Sequence, residues 1–138
     1  MFEVLLLALD NSEKARKTYD AAEQLAKLSG GEVRVLHVRE YGFAGRAGQV
    51  DVEGHREAQE IVDKAVADLM AAGVKASGTV RGALFGHGAA EILGEAASVG
   101  ATTIVMGSRG LNALEGLIVG STTHKVLHLG NLPVLVVR

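Results

Sequence analysis

Two runs along the chain are apolar at almost every position, Val4 to Leu9 and Thr103 to Met106. Val33 to Val38 alternates more, and Val134 to Val137 is wholly aliphatic. Continuous Val/Leu/Ile runs of this length suit strands of a parallel sheet that helices cover on both faces. Between them the apolar spacing changes to three and four. From Glu13 to Leu28 the stripe is Ala15, Tyr19, Ala22 and Ala26; from Glu53 to Ala72 it is Ala58, Ile61, Val62, Ala65 and Leu69. From Ala89 to Val99 it is Ala89, Ile92, Leu93, Ala96 and Ala97, and a shorter stripe covers Thr122 to Leu129. Each predicts an amphipathic helix.

The punctuation supports these elements. Gly30, Gly73, Gly100 and Gly130 follow the four helices, where a left-handed residue is easiest for glycine. Pro133 stops the last helix and opens the last strand, and Ser12 is placed to cap the first helix. With a third strand near Val74 to Arg81, the order is β-α-β-α-β-α-β-α-β. This predicts right-handed crossovers and an α/β, doubly wound, five-stranded parallel sheet. The long connection Arg39 to Val52 carries Gly42, Gly45 and Gly48 and reads as a mobile surface loop. No boundary or repeat divides the chain, so residues 1–138 read as one domain.

Composition narrows the function classes. With 138 residues and 48% apolar content, one core can form without staples. The absence of cysteine removes disulfides, thiolate metal sites and thiol catalysis. A formal net charge of −2 without a dense Lys/Arg block argues against a nucleic acid partner. The opening Met1–Leu7 carries Glu3 and is closed by Asp10, so it reads as a buried strand rather than a leader, and it is too short to span a bilayer. The expectation is a soluble, cytoplasmic protein with no membrane partner.

In an open α/β sheet, ligands bind beyond the carboxyl ends of the strands where the strand order reverses. The residues there are Leu9-Asp10-Asn11-Ser12, after the first strand, and Met106-Gly107-Ser108-Arg109-Gly110, after the fourth. The second stretch leads to Gly120-Ser121-Thr122-Thr123 at the start of the last helix. Glycine and hydroxyl residues at a helix start offer free N–H groups and the positive end of the helix dipole to an anion, usually phosphate. A plain turn at Gly120 with Ser121 as a cap reads the same residues equally well, and the residues alone leave both open.

The spacing Gly107-x2-Gly110-x9-Gly120-Ser121 resembles the nucleotide-binding motif of the ATP-binding branch of the universal stress protein family. The opening strand with Asp10-Asn11-Ser12-Glu13, the strand end Leu36-His37-Val38 and the tail Asn131–Val137 are similar to that family as well, so the resemblance covers the whole chain. It implies an adenine nucleotide alpha hydrolase-like sheet in the order 3-2-1-4-5 with two helices on each face. It also implies a regulatory stress-response module that binds ATP and forms a homodimer through the last strand. By that resemblance Asp10 and the backbone at Val38 meet the adenine end, and Leu9 and Gly107 lie along the ribose. Met106 stands in the motif strand, and Gly110, Gly120, Ser121, Thr122 and Thr123 lie with the phosphates. Leu9 departs from the proline common at its position in some ATP-binding members. Arg109 reads equally as a phosphate partner or a solvated loop charge. A magnesium ion could bridge the phosphates and Asp10.

Other chemistry finds less support. No Walker A ending is present, and Gly86-His87-Gly88 has Glu91 where a dinucleotide fingerprint needs its third glycine. A phospho-receiver needs clustered acids, and only Asp10 stands after the first strand. His124 and His128 sit four apart without a third ligand and read as helix-surface residues. His37 reads as a packed residue with a satisfied ring, and Lys125 as a solvated one. No nucleophile–base pair is visible. The expected role is therefore ATP-dependent regulation of an unidentified protein partner. A slow ATP hydrolase and a nucleotide-free interaction protein are the competing classes.

Overall fold

The structure is a computed structural model that describes residues 1–51, 54–108 and 119–138. Its elements are β1 (Val4–Leu9), α1 (Ala15–Ser29), β2 (Glu32–Phe43), β3 (Gln49–Asp51), α2 (His55–Ala71), β4 (Ala76–Leu84), α3 (Gly88–Ser98), β5 (Thr103–Gly107), α4 (Ser121–Leu129) and β6 (Val134–Val137). β1 pairs in parallel with β2 and with β5, β2 with β4, and β5 with β6. The parallel sheet therefore runs β4-β2-β1-β5-β6. That is the expected 3-2-1-4-5 order, and the chain reverses direction across the sheet at the β1/β5 boundary.

Side-chain alternation divides the core into two layers. Leu5, Leu7 and Leu9 of β1 pack with Tyr19, Ala22 and Ala26 of α1 and with Val62, Ala65 and Leu69 of α2. Leu6, Leu36, Ile104 and Met106 pack on the other face with Ala89, Ile92 and Ala96 of α3 and Val126 of α4. Two helices thus cover each face, and Leu5, Leu6 and Leu7 are fully buried between them.

The purely parallel expectation is corrected by β3. This three-residue strand is antiparallel to the end of β2, with Gly42 opposite Val50, so the sheet is mixed. The stretch expected to be a loop from Arg39 to Val52 is instead, through Asp51, the continuation of β2, a 3-10 turn at Gly45–Ala47 and β3. Gly45 and Gly48 take positive φ in that turn, so the glycines shape a hairpin rather than an irregular loop. Arg39, only 5% exposed, pins the hairpin through a 2.7 Å ion pair with Asp51.

Two expected helix signals act differently in the structure. Gly30, Gly73 and Gly100 are left-handed, but Gly130 has φ −86°. Glycine serves there because a Cβ would lie 2.7 Å from the Val126 carbonyl oxygen and 2.8 Å from Leu93 Cδ2. Ser12 does not cap α1, which starts after Lys14 without a side-chain cap. Its N–H and hydroxyl both donate to Asp10 Oδ1.

Candidate functional site

The carboxyl ends of β1 and β5 diverge at the switch point, where α1 leaves one strand and the chain toward α4 leaves the other. A narrow cleft, open to solvent and with room for about one water molecule, lies there on the α1 side. Leu9, Asp10 and Ser12 line it from the β1 exit, Lys14 and Thr18 from α1, and Gly107 and Ser108 from the β5 exit. Three of the expected site residues, Leu9, Asp10 and Gly107, are thus brought together.

The start of α4 is tied to the same strand exit. The Gly120 N–H donates to the Ser108 carbonyl at 2.6 Å, and the buried Thr123 hydroxyl donates to the Gly107 carbonyl at 2.8 Å. Gly120 is the N-cap residue, with no side-chain cap, and its carbonyl accepts the first helical bond, from His124 N–H. Helix geometry leaves the amides of Ser121, Thr122 and Thr123 without intrahelical acceptors. With no acidic residue in the first turn, the positive end of the dipole is uncompensated there. Glycine at 120 and hydroxyls at 121–123 therefore hold three N–H donors beside β5, but the Gly120 amide and the Thr123 hydroxyl are already engaged.

The edge of β2 completes the surroundings. Glu32 N–H donates to the Glu3 carbonyl and Val33 N–H to the Lys75 carbonyl, so even residues of β2 turn their backbone groups toward β1 and odd ones toward β4. β1 ends at Leu9, opposite His37, and β3 joins β2 only from Tyr41. The Val38 carbonyl therefore faces a gap between those two pairings. Val38 is also close to the start of α4: a Cβ placed at Gly88 would lie 3.9 Å from Val38 Cγ1 and 3.8 Å from Thr122 Cγ2. His37 is buried, and its ring is 2.7 Å from the Leu9 carbonyl, with Nδ1–H as the donor.

Met106 is separate from the cleft, buried among the α3 and α4 side chains. Arg109 and Gly110 lie outside the described residues. Lys125 is not merely solvated, because its ammonium donates to the Gly86 carbonyl at 3.0 Å. The rings of His124 and His128 stack at 6.2 Å on the exposed side of α4, and no group of three metal-ligating residues occurs among the described residues. Ser12 was named at the strand exit, but reading the sequence for glycines and apolar stripes missed Lys14 and Thr18. Their signal lies in hydroxyl and basic residues within the first turns after a strand at the switch point.

No helix among the described residues is long and apolar enough to cross a membrane. The model of the universal stress protein family matches residues 1–138. The chain is 34% identical to the universal stress protein YxiE of Bacillus subtilis over the full length of both. Among solved structures it is similar to the hypothetical protein MJ0577, with a TM-score of 0.78 and 25% identity, covering 99% of this chain and 96% of that one. A universal stress protein from Archaeoglobus fulgidus, solved in complex with dAMP, has a TM-score of 0.70 and 23% identity, covering 100% and 98% of the two chains. Another, solved with cAMP, has a TM-score of 0.68 and 22% identity, covering 99% and 97%. The family match over the whole chain, together with full-length identity of this size, establishes that this chain belongs to the universal stress protein family.

Proposed function

We propose that this universal stress protein binds ATP at the β1/β5 switch point and that occupancy, rather than turnover, is its regulatory signal. The observation that carries this reading is the start of α4. Three backbone N–H donors at Ser121, Thr122 and Thr123 stand beside the Gly107–Ser108 strand exit, with the helix dipole behind them. The triphosphate belongs at these amides, and the sequence motif assigns Gly110 and Arg109 to the same phosphates. The adenine belongs at the Val38 edge of β2, where a carbonyl faces the gap and can accept from the base's exocyclic amine. Asp10 lines the cleft at the β1 exit and is the carboxylate there that would meet a magnesium ion held by the phosphates. Proteins of this fold solved with dAMP and with cAMP support an adenine nucleotide as the ligand class.

Binding would change which conformations or partners are favoured, by no more than the ligand's differential affinity for them. Hydrolysis, where it occurs, is slow on this reading. The decisive experiment is calorimetry with ATP and magnesium on the purified protein, together with identification of any nucleotide released on denaturation. Saturable heat at one site per chain is expected. No heat at any usable concentration, and no nucleotide carried through purification, would refute the reading.

A further inference from the structure

Three of the five histidines stand singly. His37 is buried against the Leu9 carbonyl, and His55 and His87 are exposed at the starts of α2 and α3. His124 and His128 are different, because they share one face of α4. Four residues of α-helix make just over one turn, so their side chains lie one above the other. The helix buries Thr123 and Val126 and leaves both histidines exposed. Their rings are parallel to within 3°, with centres 6.2 Å apart. Neither imidazole makes a hydrogen bond or an ion pair with another described residue, so their nitrogens are committed to nothing else in the fold. Lys125, the cation between them in sequence, is tied to the Gly86 carbonyl at 3.0 Å.

This arrangement has a definite coordination chemistry. Two histidines four apart are the spacing by which a helix presents two imidazoles to one metal ion. Metal–nitrogen bonds of about 2.0–2.1 Å put two neighbouring ligand nitrogens about 3 Å apart, within reach of small rotations of two exposed side chains. A third protein ligand is needed for a closed site, but not for a chelate completed by water. Imidazole suits copper, nickel and zinc, and α4 carries no carboxylate for magnesium or calcium. Zinc ordinarily takes three or four protein ligands, whereas copper(II) and nickel(II) are at home in tetragonal nitrogen and oxygen sets. We infer that His124 and His128 form a chelating site for a divalent transition-metal ion, copper(II) or nickel(II) ahead of zinc, with water in the remaining positions. The two imidazoles converge only while α4 is helical, so the ion also staples one turn of that helix. The site is independent of the nucleotide reading above.

The test titrates nickel(II) chloride into the chelator-treated, nucleotide-free protein by calorimetry and follows the melting temperature at saturating metal. One ion per chain is expected, with copper(II) bound more tightly than nickel(II), zinc more weakly than copper(II), and magnesium not at all. His124→Ala and His128→Ala should each weaken nickel binding about tenfold or more, because the second imidazole acts intramolecularly. His55→Ala and His87→Ala should leave it unchanged. Nickel should raise the melting temperature of wild type and of the His55 and His87 variants, since it binds the folded helix in preference to the unfolded chain. It should raise neither that of His124→Ala nor that of His128→Ala. All four residues are exposed, so the metal-free variants should melt with wild type. Absence of nickel binding by wild type would overturn the inference. So would nickel affinity retained in either α4 variant, an equal loss in the His55 or His87 variant, or a wild-type protein that melts no higher with nickel than without it.

Discussion

Gly120 separates binding from folding within one residue. Its φ of −69° and ψ of 163° lie in ordinary extended space, so the backbone itself does not demand glycine. Aspartate is among the best N-cap residues, because its carboxylate accepts from the first helical amides and suits the dipole. Gly120→Asp is therefore expected to leave α4 as stable or slightly more so. Its carboxylate would occupy the amides proposed for phosphate and repel the phosphates. Thermal melting should be unchanged or raised while calorimetric ATP binding disappears; retained binding would place the phosphates elsewhere. Ser121→Ala should weaken binding by only about 1 kcal/mol, since one neutral hydrogen bond is modest in net worth. The site glycines were visible in the sequence because spacing alone marks them. Thr18 was not, because reading α1 for apolar positions passes over a polar residue on the same buried face as Tyr19 and Ala22.

At the scale of elements, the β2–β3 hairpin governs the edge of the proposed adenine site. Gln49 and then Arg39 donate to the Asp51 carboxylate and hold it below the ordinary carboxylate range. A depressed folded-state value means that Asp51 contributes stability above its unfolded-state value. That contribution is lost as pH falls through the lowered one. The protection of the Gly42 and Val50 amides, opposite each other across the hairpin, relative to an unstructured amide at the same pH should therefore fall in acid. Asp51→Asn should show the lower protection already at neutral pH and lose the pH dependence of that protection. Exchange equal to wild type at every pH would show that the ion pair does not hold the hairpin. The helices and long strands were legible because their periodicity extends over many residues. The hairpin was not, since three glycines in fourteen residues signal a loop, and the contact that orders it joins Arg39 to Asp51 across the turn. Gly130 shows a related limit. Its need for glycine comes from Leu93 on another helix as well as from its own turn, and no local pattern in the sequence records that approach.

At the scale of the whole molecule, among the described residues the sheet has an open edge at β6, which pairs only with β5. Ile104 N–H donates to the Pro133 carbonyl and Ser108 N–H to the Val137 carbonyl, so odd residues of this segment turn their backbone groups inward to β5. Val134 and Val136 therefore turn theirs outward, and Leu135 remains 40% exposed. An unpaired aliphatic edge is a template for another strand, and a two-fold axis would satisfy it with the same strand of a second copy. The universal stress protein family resemblance led to the same homodimer. The outward parity makes it testable without harming the fold. Proline lacks an N–H and is tolerated on edge strands when the missing donor faces away from the sheet. Val136→Pro should thus remove one outward donor, leave the β5 ladder intact and shift the protein to monomer in light scattering at micromolar concentration. Leu135→Pro removes an inward donor instead and should lower the melting temperature. A wild-type protein that is strictly monomeric under these conditions, or a Val136→Pro variant that remains a dimer, would show that β6 is not the surface on which two copies meet.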